Sequence, residues 1–83
     1  MSQKATTKDE LFLVKLHQLA LQQGSFESEI DRYTVGRAIG QNDRGVNAIV
    51  VLLAKANFVK KGEGSAVYLT ALGLSLATQL ASK

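Results

Sequence analysis

Eighty-three residues, 46% of them apolar, with a net charge of +3 make one domain with a modest core; the chain is too apolar and too weakly charged to stay unfolded. The absence of cysteine excludes disulfides, thiolate metal sites and cysteine nucleophiles, and one histidine beside seven carboxylates leaves little for a zinc or two-metal centre. The longest strictly apolar run, 48–54, falls far below the ~18 residues that suggest a membrane span, and the first residues lack the apolar stretch of a signal peptide.

Residues 1–7 read as a flexible tail ahead of a single domain over 8–83. Over 8–23, Phe12, Leu16, Leu19, Ala20 and Gln23 recur with the helical period. Asp9 and Glu10 suit the positive end of that helix, and Gly24 stops it. Leu11, Val14 and Leu21 form a second apolar face, to be covered either by the last helix or by a second copy of the chain. The stretch 25–30 has only Phe26 and Ile30 as large apolar residues and reads as a connector or a brief edge strand. A short helix follows over 31–40, with Val35, Ala38 and Ile39 on one face and Arg32 and Arg37 elsewhere. Gly40, Gln41 and Asn42 then make a turn, and Asn42 or Asp43 caps the next helix.

That next helix, 43–56, has Val46, Ile49, Val50, Leu53 and Ala54 as its core stripe. At 100° per residue Arg44, Ala48, Val51 and Lys55 fall opposite, with Asn47 on the flank. Its β-branched run leaves a strand over 48–53 as the competing reading. Residues 58–61 turn extended, 62–65 form a Gly-rich tip and 66–69 a second β-type run, which together predict a hairpin. Thr70 caps a last helix over 71–81 with the stripe Leu72, Leu76, Ala77 and Leu80. The charge is unevenly spread along these elements: residues 1–31 carry −2, residues 32–61 carry +5, and residues 62–83 are neutral. A basic middle third predicts a localised electropositive face, set against the plainer reading of an ordinary solvated surface.

The expected class is mostly α with a small β-hairpin (α+β), in the order helix, helix, helix, hairpin, helix. With Thr34 through Asn42 as first helix and turn, Val46, Ile49, Val50 and Leu53 as the buried stripe, and Tyr68-Leu69-Thr70-Ala71-Leu72-Gly73 as the exit from the hairpin, the chain resembles the winged helix-turn-helix domains of bacterial and archaeal transcriptional regulators. The exit pattern, an apolar residue, Leu, Thr, two residues and Gly, is similar to that of the MarR-like group. The resemblance covers most of residues 9–81. It implies a cytoplasmic, double-stranded DNA-binding regulator of transcription, with 43–56 in the major groove and the wing, 58–69, on the backbone or in the minor groove. It also implies a homodimer through the first and last helices, placing Leu11, Val14 and Leu21 at the interface.

The chemistry of the residues supports that expectation. Arg and Asn read guanine and adenine edges, so Arg44 and Asn47 are the expected base readers, with Ala48 and Val51 against thymine methyls. Arg32, Arg37, Lys55, Lys60, Lys61 and Ser65 are the expected phosphate contacts. Asp43 opposes phosphate unless it serves as a cap. The alternative is a winged-helix protein–protein interaction module without DNA binding, which the exposed apolar Ala48 and Val51 favour. Gly62 and Gly64 lack the fuller glycine pattern and the strand-loop-helix context of a phosphate cradle and read as a hairpin tip. His17 has no second His or Cys to join it, and no Ser/His/Asp spacing suggests a nucleophile. No enzyme, metal or cofactor is expected.

Overall fold

The computed structural model describes residues 7–81, and the first of these already belongs to a helix cap. Residues 1–6 of the expected tail lie outside the described residues. Thr7 Oγ1 accepts from the Glu10 amide at 3.1 Å, and Glu10 Oε1 accepts from the Thr7 amide at 3.1 Å. This reciprocal box satisfies two otherwise orphaned amides and makes Thr7 part of the domain rather than of a tail. It opens α1 (Lys8–Gln22), which buries Phe12, Leu13, Leu16 and Ala20. Leu11 and Leu21 stay 40% and 54% exposed and Val14 is half-buried, so the last helix does not cover this second face as one reading of it expected.

The segment left open as connector or strand ends in β1 (Ile30–Asp31), which runs directly into α2 (Arg32–Ala38). Asp31 caps α2 by accepting from the Tyr33 amide at 3.2 Å. Two successive turn motifs then set the directions of the chain. After α2 the Gln41 amide reaches back to the Gly36 carbonyl (2.8 Å) and the Gly40 amide to that of Arg37 (3.2 Å), with Gly40 left-handed at φ 77°. After α3 (Asp43–Lys55) the Phe58 amide reaches Leu53 (2.9 Å) and the Asn57 amide reaches Ala54 (3.0 Å), with Asn57 left-handed at φ 68°. Both are Schellman closures, the second with Asn where Gly is usual. Asn42 Oδ1 accepts from the Gly45 amide at 2.8 Å and is the cap of α3. Residues 48–53 are helical, and Val46, Ile49, Val50 and Leu53 are buried.

β2 (Val59–Lys61) and β3 (Ala66–Leu69) form the expected hairpin, pairing Val59 with Leu69 and Lys61 with Val67. β1 adds a third antiparallel strand on the other edge of β3, pairing Ile30 with Val67 and Asp31 with Ala66. α4 (Ala71–Ala81) closes the fold and packs chiefly on α1. Its start explains the Thr-x-x-Gly pattern physically. Thr70 Oγ1 donates to the Asn57 carbonyl at 2.7 Å and accepts from the Gly73 amide at 3.0 Å. A Cβ on Gly73 would run into the Phe58 carbonyl oxygen. The buried ridge of α4 is therefore Gly73 and Ala77, flanked by the partly buried Leu76 and Leu80. Leu72, expected on the core stripe, is 50% exposed.

Among the described residues the fold is α+β: four helices and one three-stranded antiparallel sheet around a single core that includes Phe12, Leu16, Val35, Val50, Val67 and Leu69. No described helix is long and apolar enough to cross a membrane.

Candidate nucleic-acid interface

Because Val46, Ile49, Val50 and Leu53 turn inward, the opposite side of α3 presents Arg44, Asn47, Ala48, Val51 and Lys55, all exposed. This is the face that the 100° periodicity assigns, and Leu52, 54% exposed, adds an apolar residue to its edge. Asp43 is exposed in the first turn, where a carboxylate suits the positive helix end. On the hairpin Lys60 and Lys61 are exposed on β2. Arg37, at the end of α2, is exposed, with Thr34 Oγ1 at 3.5 Å from its guanidinium.

Arg32 joins these parts. Its amide and its Nε both donate to the Ser65 carbonyl, each at 3.0 Å, and its Nη1 donates to Asn47 Oδ1 at 3.2 Å. The Tyr33 hydroxyl donates to the same Asn47 oxygen at 3.3 Å. The first turn of α2 thus ties the hairpin turn to the outward face of α3. Two of the five N–H groups of the Arg32 side chain are held on protein acceptors, leaving three for any other partner.

Ser65, expected at phosphate, commits its single O–H to Asp31 Oδ1 at 2.6 Å and is half-buried; its part is to anchor the hairpin turn to the start of α2. That bond is the largest influence on Asp31. The Ser65 hydroxyl outweighs the opposing effect of desolvation and, with the Tyr33 amide and the charge of Arg37 adding to it, holds the carboxyl below the ordinary carboxylate range.

The fold also brings acid to the basic segment. The Glu29 carboxylate lies against Gly62 and accepts from the Glu63 amide at 3.3 Å, so Glu29, Asp31 and Glu63 all sit about the hairpin turn. Glu29 belongs to the acidic first third of the sequence, and only strand pairing carries it to the hairpin turn. The residue-by-residue charge count therefore overstates the positive charge gathered at the turn, whereas Arg44 and Lys55 stand on α3 rather than on the hairpin.

Leu11, Leu21 and the half-buried Val14 lie on the outer side of α1. A separate groove of about 240 Å³ is lined by Leu13, Leu52, Leu53, Phe58 and Leu76 together with Asp9 and Glu10. Its apolar walls and two carboxylates suit neither phosphate nor a nucleophilic mechanism. Among the described residues no group of three or more His, Asp and Glu side chains is placed to hold a metal ion. Compared with models of protein families, with curated proteins and with solved structures, the chain matches none.

Proposed function

We propose that the chain is a winged helix-turn-helix protein that binds double-stranded DNA in the cytoplasm and regulates transcription. In this reading α3 enters the major groove and the β2–β3 wing lies on the backbone or in the minor groove. The observation that carries it is the Arg32 bridge, which sets the wing turn and the outward face of α3 side by side through one side chain. Arg44 and Asn47 then meet base edges, with Ala48 and Val51 beside thymine methyls. Lys55, Lys60, Lys61, Arg37 and the unengaged N–H groups of Arg32 neutralise phosphates. A second copy of the chain docks through the outer faces of α1 and α4, where Leu11, Leu21 and Leu72 are 40%, 54% and 50% exposed.

The test is a titration of isotope-labelled protein with a random-sequence duplex at two salt concentrations, following backbone amides. Shifts over 43–48 and 60–66 that weaken steeply with salt are expected. No shifts at low salt with the spectrum of a folded protein would overturn the reading. A specific observation favours a second one in that event: Val51 and Leu52 expose 45% and 54% of their surface on α3, which suits a protein partner.

A further inference from the structure

Asn47 is exposed on α3, yet its amide oxygen is fully occupied from within the protein. A guanidinium has no acceptor, so the amide atom 3.2 Å from Arg32 Nη1 has to be the oxygen. The Tyr33 hydroxyl stands 3.3 Å from that same oxygen and, of the two, only the hydroxyl has a proton to give. One carbonyl oxygen has two lone pairs, and both are now filled. What Asn47 offers outward is its Nδ2 group alone, two N–H donors with no hydrogen-bond partner among the described residues.

This changes what the side chain is able to recognise. The familiar pairing of Asn with adenine needs an acceptor for the N6 amino group as well as a donor for N7. Guanine presents two adjacent acceptors, N7 and O6, to the major groove, and cytosine presents only a donor. We infer that Asn47 is a donor-only reader that selects guanine over adenine, and that Arg32 and Tyr33 are the positioning residues that make it so. The inference rests on the DNA-binding reading of α3 and names the base that this reading leaves open.

The experiment is selection from a randomised duplex library at low salt with the full chain, in wild type, Asn47→Ala and Tyr33→Phe. Asn47→Ala locates the base position, because it is the one whose preference disappears. At that position wild type selects guanine over adenine by at least about tenfold, the discrimination of one well-placed pair of hydrogen bonds. Tyr33→Phe keeps the ring in its packing but frees one lone pair of Asn47 Oδ1. The guanine-to-adenine ratio then falls toward one, while affinity for the guanine site stays within about twofold. A merely structural role for Tyr33 would lower affinity for all sites and leave that ratio unchanged. Adenine selected by wild type, a ratio unmoved in Tyr33→Phe, or a bound pool with no enrichment at any position each overturns the inference while leaving DNA binding intact. A folded protein that retains no duplex at all overturns both.

Discussion

The outward face of α3 carries Arg44, Asn47 and Lys55 around Ala48, Val51 and Leu52, whereas that of α4 carries Ala71, Leu72, Ser75, Thr78 and Gln79, and no residue of α4 is charged. Charges act over about a Debye length, roughly 8–10 Å in ordinary salt, so the α3 face acts on a charged polymer before contact. The α4 face has only short-range packing and hydrogen bonding to offer. The inward sides differ in the opposite sense. α3 is held by large side chains, Val46, Ile49, Val50 and Leu53, while α4 approaches the rest of the fold through Gly73 and Ala77. One helix is anchored by bulk and turns its charge to solvent; the other is anchored by closeness and turns out a neutral surface.

The most severe way to break this contrast is to add bulk where α4 depends on closeness. Gly73→Ala places a methyl against the Phe58 carbonyl oxygen, a backbone atom fixed by the bond it accepts from the Thr70 amide at 3.1 Å, and should cost about 3 kcal/mol in urea denaturation despite the better helix propensity of alanine. Gly36→Ala, where the obstacle is the Val46 side chain, should cost less, about 1–2 kcal/mol, because a side chain yields more readily than backbone. Equal costs would mean that α4 is no more closely seated than the junction of α2 and α3.

Removing charge from the hairpin, which Arg32 ties to the α3 face, tests the charged half of the contrast. Lys60→Ala combined with Lys61→Ala should weaken binding to any duplex by about 50-fold near 0.1 M salt and lower the salt slope by about two, with the fold unchanged since both side chains are exposed. A fall in affinity without a change of slope would assign the loss to packing rather than phosphate. On α4, Leu72→Glu places a charge on the proposed dimer surface and should raise the dimer dissociation constant about tenfold in sedimentation equilibrium, while the monomer's stability holds because Leu72 is half exposed already. If α4 faces only water, neither the mass nor the stability will move.

The same contrast explains how much the sequence told. The helix over α3 and its buried stripe were legible because large apolar residues at a 3.6 period leave one interpretation of which side faces in, and Asn42 and the hairpin turn carry their own chemical signals. On α4 the eye follows Leu72, Leu76 and Leu80, and the true ridge of Gly73 and Ala77 is nearly silent to a search for hydrophobic side chains; the Thr70-x-x-Gly73 spacing was the one clue. Leu13 was missed on α1 because a helix covered from more than one side blurs its stripe. β1 has two residues, too few to show a period, and its pairing with β3 is what delivers Glu29 and Asp31 to the hairpin turn. Of the site, the exposed side chains of α3 were readable one by one. The Arg32–Asn47–Tyr33 cluster was not, since Asn47 lies 15 and 14 positions from Arg32 and Tyr33 and meets them only when α2 packs on α3.

The smallest expected effect concerns Asp31, where β1, the hairpin turn and α2 meet. Its carboxylate accepts from the Ser65 hydroxyl and caps α2, interactions that favour the charged form, so its folded pKa lies below the ordinary value of 3.8. A carboxyl of lowered pKa contributes its full share of stability at neutral pH. That share begins to fade as pH falls through the ordinary carboxylate range and is gone once pH is below the folded value. Asp31→Asn retains a cap but loses the charge. It should leave the protein slightly less stable at pH 7 and make the loss of stability between pH 5 and pH 2 correspondingly shallower, as read from thermal melts across that window. Because the group is exposed the change will be modest, and affinity for DNA, the proposed partner, should rise a little with the removal of one negative charge beside the hairpin turn. A variant with wild-type acid sensitivity would show that Ser65 anchors the turn through its carbonyl bonds to Arg32 alone, leaving the hydroxyl bond without energetic weight.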